Sequence, residues 1–120
     1  MIFLAMVFMH ILDDFCLQGI LASMKQKEWW KKQEGYNDMY KRDYIVALFM
    51  HSFSWAFMVM LPIAIKDGFN ESWLFFCFFV LNLITHIVVD DLKANKKKIN
   101  LIADQGIHLM QIGVTALVLG

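Results

Sequence analysis

The sequence predicts an all-α protein, a four-helix transmembrane bundle with a polar His/Asp centre near the cytoplasmic leaflet. Apolar residues make up 59% of its 120 residues, and the mean hydropathy is +0.52. A soluble domain of this length has a large surface to cover and needs more polar residues than this. Four apolar segments approach the ~20 residues that a helix needs to cross a bilayer. Every histidine of the chain lies in one of these segments.

The apolar segments define four predicted spans within a single integral membrane domain, residues 1–120. The spans cover residues 2–20, 44–65, 72–91 and 99–119. Helices joined into hairpins leave no backbone group without a partner in lipid, so a bundle is the arrangement we expect. The first segment has neither a basic leader nor a small-residue cleavage site, and we expect it to be a retained span.

The basic residues predict the orientation of the spans. Of eleven lysines and arginines, six lie between the first and second spans and four lie between the third and fourth. Only Lys66 lies between the second and third spans. Short loops rich in lysine and arginine stay on the cytoplasmic side of a membrane. We therefore expect a multi-pass protein of the bacterial inner (cytoplasmic) membrane, with both termini outside and both basic loops cytoplasmic.

The first basic loop, residues 21–43, mixes lysines with Trp29, Trp30, Tyr36 and Tyr40. This mixture is typical of a helix that lies in the headgroup region of the membrane. An ordinary solvated loop with aromatic anchors explains it equally well. Acidic residues in the same loop argue against nucleic acid as a partner. They are Glu28, Glu34, Asp38 and Asp43.

Histidine and aspartate recur at one spacing in three of the spans. The first and third spans read His-x-x-x-Asp, and the fourth reads Asp-x-x-x-His. Side chains four residues apart lie on one face of a helix. The seven groups are His10 and Asp14, His86 and Asp90, Asp104 and His108, and the single His51 of the second span.

The spacing also places these groups at one depth. The fourth span runs against the first and third, so its reversed residue order restores the same geometry, with each histidine deeper than its aspartate. By the rise of a helix, each histidine lies roughly 9–15 Å from the cytoplasmic end of its span. A charged residue at mid-span costs about 2.5–3.5 kcal/mol on insertion scales. We therefore expect the polar faces of the four helices to meet at one centre.

Such a centre favours a metal site. Imidazole and carboxylate together suit Zn²⁺ best, and also Fe²⁺ or Mn²⁺. The candidate ligands outnumber the four of a structural zinc site, which predicts one or two divalent ions, with some aspartates orienting histidines. An open site would activate water to hydrolyse a membrane lipid or a membrane-embedded substrate. The candidate catalytic groups are Asp14, Asp90 and Asp104, with Asp13 or Asp91 as further choices of general base.

Two other interpretations stay open. Without a metal, the His–Asp pairs would hold the helices together or relay protons. Alternatively, the chain is a small bacterial or phage effector that binds another membrane protein or perturbs the membrane. A continuous pore is disfavoured because the outer halves of the first three spans are almost purely apolar.

The polar motifs together resemble the domain-of-unknown-function 3307 family, which comprises small bacterial and phage integral membrane proteins. The motifs are "HILDDFCLQ", an isolated histidine in the second span, "HIVVDDLK" and "DQGIH", and the resemblance covers essentially the whole chain. It implies the same fold and site, and no activity. The residues that it carries over are His10, Asp14, Gln18, His51, His86, Asp90, Lys93, Asp104, Gln105 and His108. The motifs also look like those of membrane-bound metal-dependent hydrolases.

Thiol labelling tests the predicted orientation. Cysteines placed near Lys31 and Lys97 should be shielded from an impermeant thiol reagent in intact cells, because both basic loops are cytoplasmic. A cysteine placed near Gly68 should react, because that turn lies outside. The opposite labelling would refute the orientation and, with it, the shared depth of the histidines.

Overall fold

A computed structural model of the chain, describing residues 1–120, confirms the all-α prediction. The helices are α1 (Ile2–Leu12), α2 (Leu21–Met24), α3 (Lys27–Lys31), α4 (Asp43–Lys66), α5 (Trp73–Ala94) and α6 (Leu101–Leu119). α1 packs against α4 and α6, and α5 packs against the same two helices. These four helices therefore enclose one interior.

Three of the helices, α4, α5 and α6, are long and apolar enough to cross a membrane. The first segment differs, because α1 has 11 residues and continues into a five-residue π-helix at Asp13–Leu17. At 1.5 Å per residue the two together measure roughly 24 Å, against a bilayer core of about 30 Å. The structure is thus consistent with a membrane protein, and the crossing of the first segment stays a prediction.

The basic loop after the first segment forms short helices and not one long interfacial helix. Within it, the indole Nε1 of Trp30 donates to the carbonyl of Met24 at 2.6 Å. Asn95, at the end of α5, joins the loop to the bundle. Its side chain accepts from the backbone N–H of Lys27 at 2.7 Å and donates to the carbonyl of Lys25 at 3.0 Å. The segment that carries Lys25 is therefore held against one end of the bundle.

Short polar residues set where the long helices begin and end. The side chains of Ser72 and Asn100 accept from the backbone N–H groups of Phe75 and Ala103, which caps the first turns of α5 and α6. Gly68, just after α4, has a φ of +66°, a conformation that favours glycine and ends the helix. These caps fix the registers at which α4, α5 and α6 present their polar faces.

The interior of the bundle divides into an apolar half and a polar half. The apolar core contains Met6, Trp55, Ala56, Val59, Met60, Ile63, Ala64, Phe75 and Ile112. The polar half buries His10, His51, His86, Asp90, Asp104 and His108. Trp55 lies at the boundary, where its indole stacks on the ring of His86 with 4.3 Å between ring centroids.

A hydrogen-bond network links α5 to α6 at the same boundary. The amide of Asn82 donates to the hydroxyl of Thr115 at 2.9 Å, and the amide of Gln111 donates to the carbonyl of Asn82 at 3.1 Å. Asn82 and Thr115 are both buried. Because lipid offers no competing hydrogen bonds to these side chains, the network favours one register between the two helices.

Replacing Asn82 tests the contribution of this network. Asn82→Leu removes the donor to Thr115, and we expect the free energy of unfolding in detergent to fall by about 1 kcal/mol. The measurement is denaturant titration followed by tryptophan fluorescence. The control is Leu81→Ala, because Leu81 is 57% exposed on the outer surface. An equal loss in both variants would show that the network does not stabilise the bundle.

Candidate metal centre

The polar half of the interior is centred on the carboxylate of Asp90, which α5 contributes. Its Oδ2 lies 2.6 Å from Nε2 of His51 and 3.4 Å from Nε2 of His86, and its Oδ1 lies 3.2 Å from Nε2 of His108. All four side chains are buried. Helices α4, α5 and α6 thus direct three imidazole nitrogens at one carboxylate.

Two more aspartates from the predicted set face these nitrogens. Oδ1 of Asp14 lies 3.8 Å from Nε2 of His51, and Oδ1 of Asp104 lies 3.3 Å from Nε2 of His108. Both oxygens are buried and accept no hydrogen bond. These side chains form two overlapping sets of possible metal ligands, and within each set the ligand atoms lie within 4.8 Å of one another. One set is Asp14, His51 and His86, and the other is His86, Asp90 and His108.

The partners of His108 determine which of its nitrogens faces the carboxylates. The amide nitrogen of Gln111 donates to the carbonyl of Asn82, so its oxygen faces Nδ1 of His108 at 3.0 Å. Nδ1 therefore carries a proton, and the neutral ring presents the lone pair of Nε2 to Asp90 and Asp104. A lone pair aimed at two carboxylates is repulsive unless a cation or a proton lies between them. The donor set fits a divalent cation.

His10 belongs to the predicted site but lies outside both sets of possible ligands. Its Nδ1 accepts from the indole N–H of Trp55 at 2.8 Å, and its Nε2 lies 2.8 Å from the side-chain oxygen of Gln105. Trp55 can only donate, so the remaining proton of the neutral ring sits on Nε2. The lone pair on Nδ1 of His10 thus already accepts a hydrogen bond from Trp55 and is not free to bind a metal ion. His10 ties α1 to α4 and α6 beside the centre, where Nδ1 is 3.6 Å from Asp14.

The neighbouring carboxylates proposed as general bases are engaged elsewhere. The carboxylate of Asp13 accepts from the hydroxyl of Ser54 at 2.7 Å and from the amide of Gln18. The carboxylate of Asp91 accepts from the amide of Asn95 at 2.7 Å. Both carboxylates thus have hydrogen-bond donors outside the centre, and the choice of Asp13 or Asp91 as general base stays a prediction. The three aspartates of the centre stay candidates as well.

Lys25 also belongs to the centre, although no pattern in the sequence selects it. It follows α2 in the basic loop, and its ammonium lies 2.7 Å from Oδ2 of Asp90 and 3.2 Å from Nε2 of His51. Its side chain is only 13% exposed. Lys25 is one of six basic residues in that loop and is 65 positions from Asp90, so no local spacing connects the two. The ammonium uses the same atoms that a metal ion would bind, so the two cations must compete.

A cavity of about 170 Å³ adjoins the centre at the end of the bundle that carries the basic loops. The aspartates of the centre line one side of it. Its other polar lining residues are Lys25, Gln26, Lys93 and Gln105. A catalytic metal site needs one position that protein does not fill, and this cavity reaches the carboxylates of the centre.

No family model, curated protein or solved structure matches the chain. Function is therefore inferred from the buried centre, from the cavity beside it and from the three helices that are able to span a membrane.

Competition at Asp90 predicts an unusual effect of removing Lys25. Lys25→Met keeps an unbranched apolar stem and removes the ammonium, so we expect Zn²⁺ to bind about tenfold more tightly, equivalent to 1.4 kcal/mol. In the presence of a chelator, the same variant should be less stable than the natural chain, because Asp90 loses its only ammonium partner. The measurements are calorimetric titration with Zn²⁺ and thermal unfolding in detergent.

The control for that experiment is Lys32→Met, because Lys32 is exposed in the same loop and has no partner in the centre. Lys32→Met should leave both the affinity for Zn²⁺ and the thermal stability unchanged. If Lys25→Met weakens Zn²⁺ binding, then Lys25 supports the metal site and does not compete with the ion.

Proposed function

We propose that the protein is a metal-dependent hydrolase of the bacterial inner membrane, acting on a membrane lipid or a membrane-embedded substrate. The observation that carries the proposal is the convergence of three imidazole nitrogens on Asp90, beside a cavity, with two further carboxylate oxygens buried without donors. The three apolar helices support a location in the membrane. We place the basic loops and the cavity at the cytoplasmic leaflet.

We propose His86, Asp90 and His108, which form one of the two sets of possible ligand atoms, as the ligands of one ion, with Zn²⁺ as the first candidate. His51 contacts the same carboxylate and belongs to the other set. His86 occurs in both sets of possible ligand atoms, but its ring offers only one lone pair from Nε2, which favours one ion over two. The hydrogen bond from Nδ1 of His108 to Gln111 orients that ring, as the outer partners of zinc ligands generally do.

The remaining aspartates have the positions that general bases need. When bound, a divalent ion in such a site polarises the scissile group and makes a neighbouring water more acidic. Asp14 and Asp104 each line the cavity and each keep one carboxylate oxygen free of hydrogen-bond donors. Either is able to accept the proton of the attacking water. On the opposite side of His86, the indole of Trp55 separates the centre from the apolar core.

One observation favours a metal-free alternative. The ammonium of Lys25 already pairs with Asp90, so the centre contains a cation without any ion bound. In that case the His–Asp contacts would be structural or would relay protons, in a proton-relay protein or in a bacterial or phage effector. The resemblance to the domain-of-unknown-function 3307 family stays a prediction and adds no activity to either proposal.

Metal analysis of the purified protein separates the two proposals. We expect about one ion of Zn²⁺ per chain, lost in His86→Ala because a ligand is gone. At a free Zn²⁺ concentration of about 100 times Kd, bound metal should add about 2.7 kcal/mol to the free energy of unfolding, an effect that a chelator removes. Asp67→Asn is the control, since Asp67 is exposed just after α4, away from the centre. A natural chain without stoichiometric metal or a chelator effect would establish the metal-free alternative.

The same preparation tests hydrolysis. Metal-loaded protein in phospholipid nanodiscs should release cleavage products detectable by mass spectrometry. Asp14→Asn or Asp104→Asn, whichever removes the general base, should lose this activity while keeping its metal. Metal-loaded protein that cleaves neither lipids nor membrane-embedded peptides would leave a structural metal site and remove the hydrolase.

A further inference from the structure

The cavity beside the centre contains two lysines whose partners are carboxylates of the centre. Lys25 lies 2.7 Å from Asp90, and Lys93 lies 3.7 Å from Oδ2 of Asp104. Lys93 comes from α5 and Lys25 from the loop after α2, so the two cations approach the cavity from different elements. The sequence gives both lysines an ordinary role in setting membrane orientation. The structure directs them to the same buried site.

Metal binding changes the charge of this cavity. Its lining has the carboxylates of Asp14, Asp90 and Asp104 and the ammonium groups of Lys25 and Lys93. In formal charges, three negative groups against two positive groups leave one negative charge. One divalent ion turns this into one positive charge. The ion also takes over Asp90, so Lys25 loses its carboxylate partner and needs another anion.

We infer that, with metal bound, Lys25 and Lys93 form a binding site for a phosphate group in this cavity. The inference rests on the proposed function and narrows its substrate to a phosphate-containing molecule. Ammonium groups bind phosphate as point charges, and a divalent ion beside them adds to the attraction. The side-chain amides of Gln26 and Gln105, which also line the cavity, are able to donate to the remaining oxygens.

A phosphate fits the charge and the chemistry of the site better than an uncharged ester or amide does. A neutral substrate would leave the ammonium group of Lys25 in the metal-loaded cavity without a counter-charge in a partly buried place. The side chains of Lys25 and Lys93 are 13% and 34% exposed, so water does not fully solvate them. A phosphate at the end of the bundle with the basic loops comes either from a lipid headgroup or from a soluble molecule. The experiment distinguishes these sources.

The test measures binding of inorganic phosphate by calorimetry to the full chain in detergent, with and without stoichiometric Zn²⁺. Free Zn²⁺ is removed by desalting before the titration. Phosphate should bind at least tenfold more tightly to the metal-loaded protein than to the chelated protein, because only the former has a net positive cavity. Lys25→Gln and Lys93→Gln should each weaken phosphate binding by about tenfold or more. Lys32→Gln, at an exposed position, should leave it unchanged.

The metal content of each variant keeps the test independent of folding. Lys25→Gln should retain its Zn²⁺ or bind it more tightly while it loses phosphate, a combination that a misfolded protein does not give. Phosphate binding that is the same with and without Zn²⁺, or that survives both lysine substitutions, would overturn the inference. If the protein binds Zn²⁺ but not phosphate, only this inference fails. If it binds no Zn²⁺, the proposed function fails as well.

A lipid arm identifies the source of the phosphate. The metal-loaded protein is transferred to nanodiscs of phosphatidylglycerol or of an uncharged glycolipid, and phosphate binding is measured again. Loss of binding in phosphatidylglycerol alone identifies a headgroup as the ligand, because the lipid then occupies the cavity. Equal binding in both membranes identifies a soluble phosphate compound.

Discussion

A carboxylate buried inside a helical bundle must replace its lost hydration with other groups, and Asp90 is a residue of this chain that must do so. Removing an ion from water costs several kcal/mol even after relaxation of the protein. Asp90 recovers this cost through contacts with His51 of α4, His86 of α5, His108 of α6 and the ammonium of Lys25. One side chain thereby fixes the registers of three long helices and the position of the basic loop. The hydrogen bonds of Asn95 to that loop also hold the segment that carries Lys25 against the bundle.

In lipid, apolar packing alone specifies little about which helix faces meet. This explains why the interior has a separate polar half. Lipid tails are as apolar as leucine, so helix association in a membrane depends on close packing and on polar contacts. The apolar half of this bundle fills space around Met6, Val59 and Ile63, while the polar half selects which helix faces meet. Trp55 belongs to both halves. It packs in the core, stacks on His86 and donates to His10, so the apolar core positions the site directly.

The sequence predicted the parts of this arrangement that depend on helical spacing. The four-residue interval put each aspartate on the same face as its histidine, and His51, His86, His108, Asp90 and Asp104 are indeed buried together. The sequence could not predict contacts that depend on how separate helices and loops pack against one another. The indole that occupies the lone pair of His10 comes from another helix, and Lys25 comes from a loop. The π-helix at Asp13–Leu17 changes the turn on which neighbouring aspartates lie, and a strict helical count cannot show which of them faces the centre.

The lysines connect the predicted orientation of the protein to its proposed chemistry. Basic residues accumulate on the cytoplasmic side of membrane proteins for reasons of insertion. Two of this chain's lysines line the cavity beside the His/Asp centre. In the proposed site the ammonium groups, a metal ion and an anion would all depend on the same few carboxylates. Sites coupled in this way must obey reciprocity, because an anion that binds better when metal is present also makes metal bind better, by the same factor. Under this proposal, metal retention and occupancy of the cavity are one equilibrium. An ion held weakly against the competition of Lys25 would be held firmly once an anion occupies that lysine.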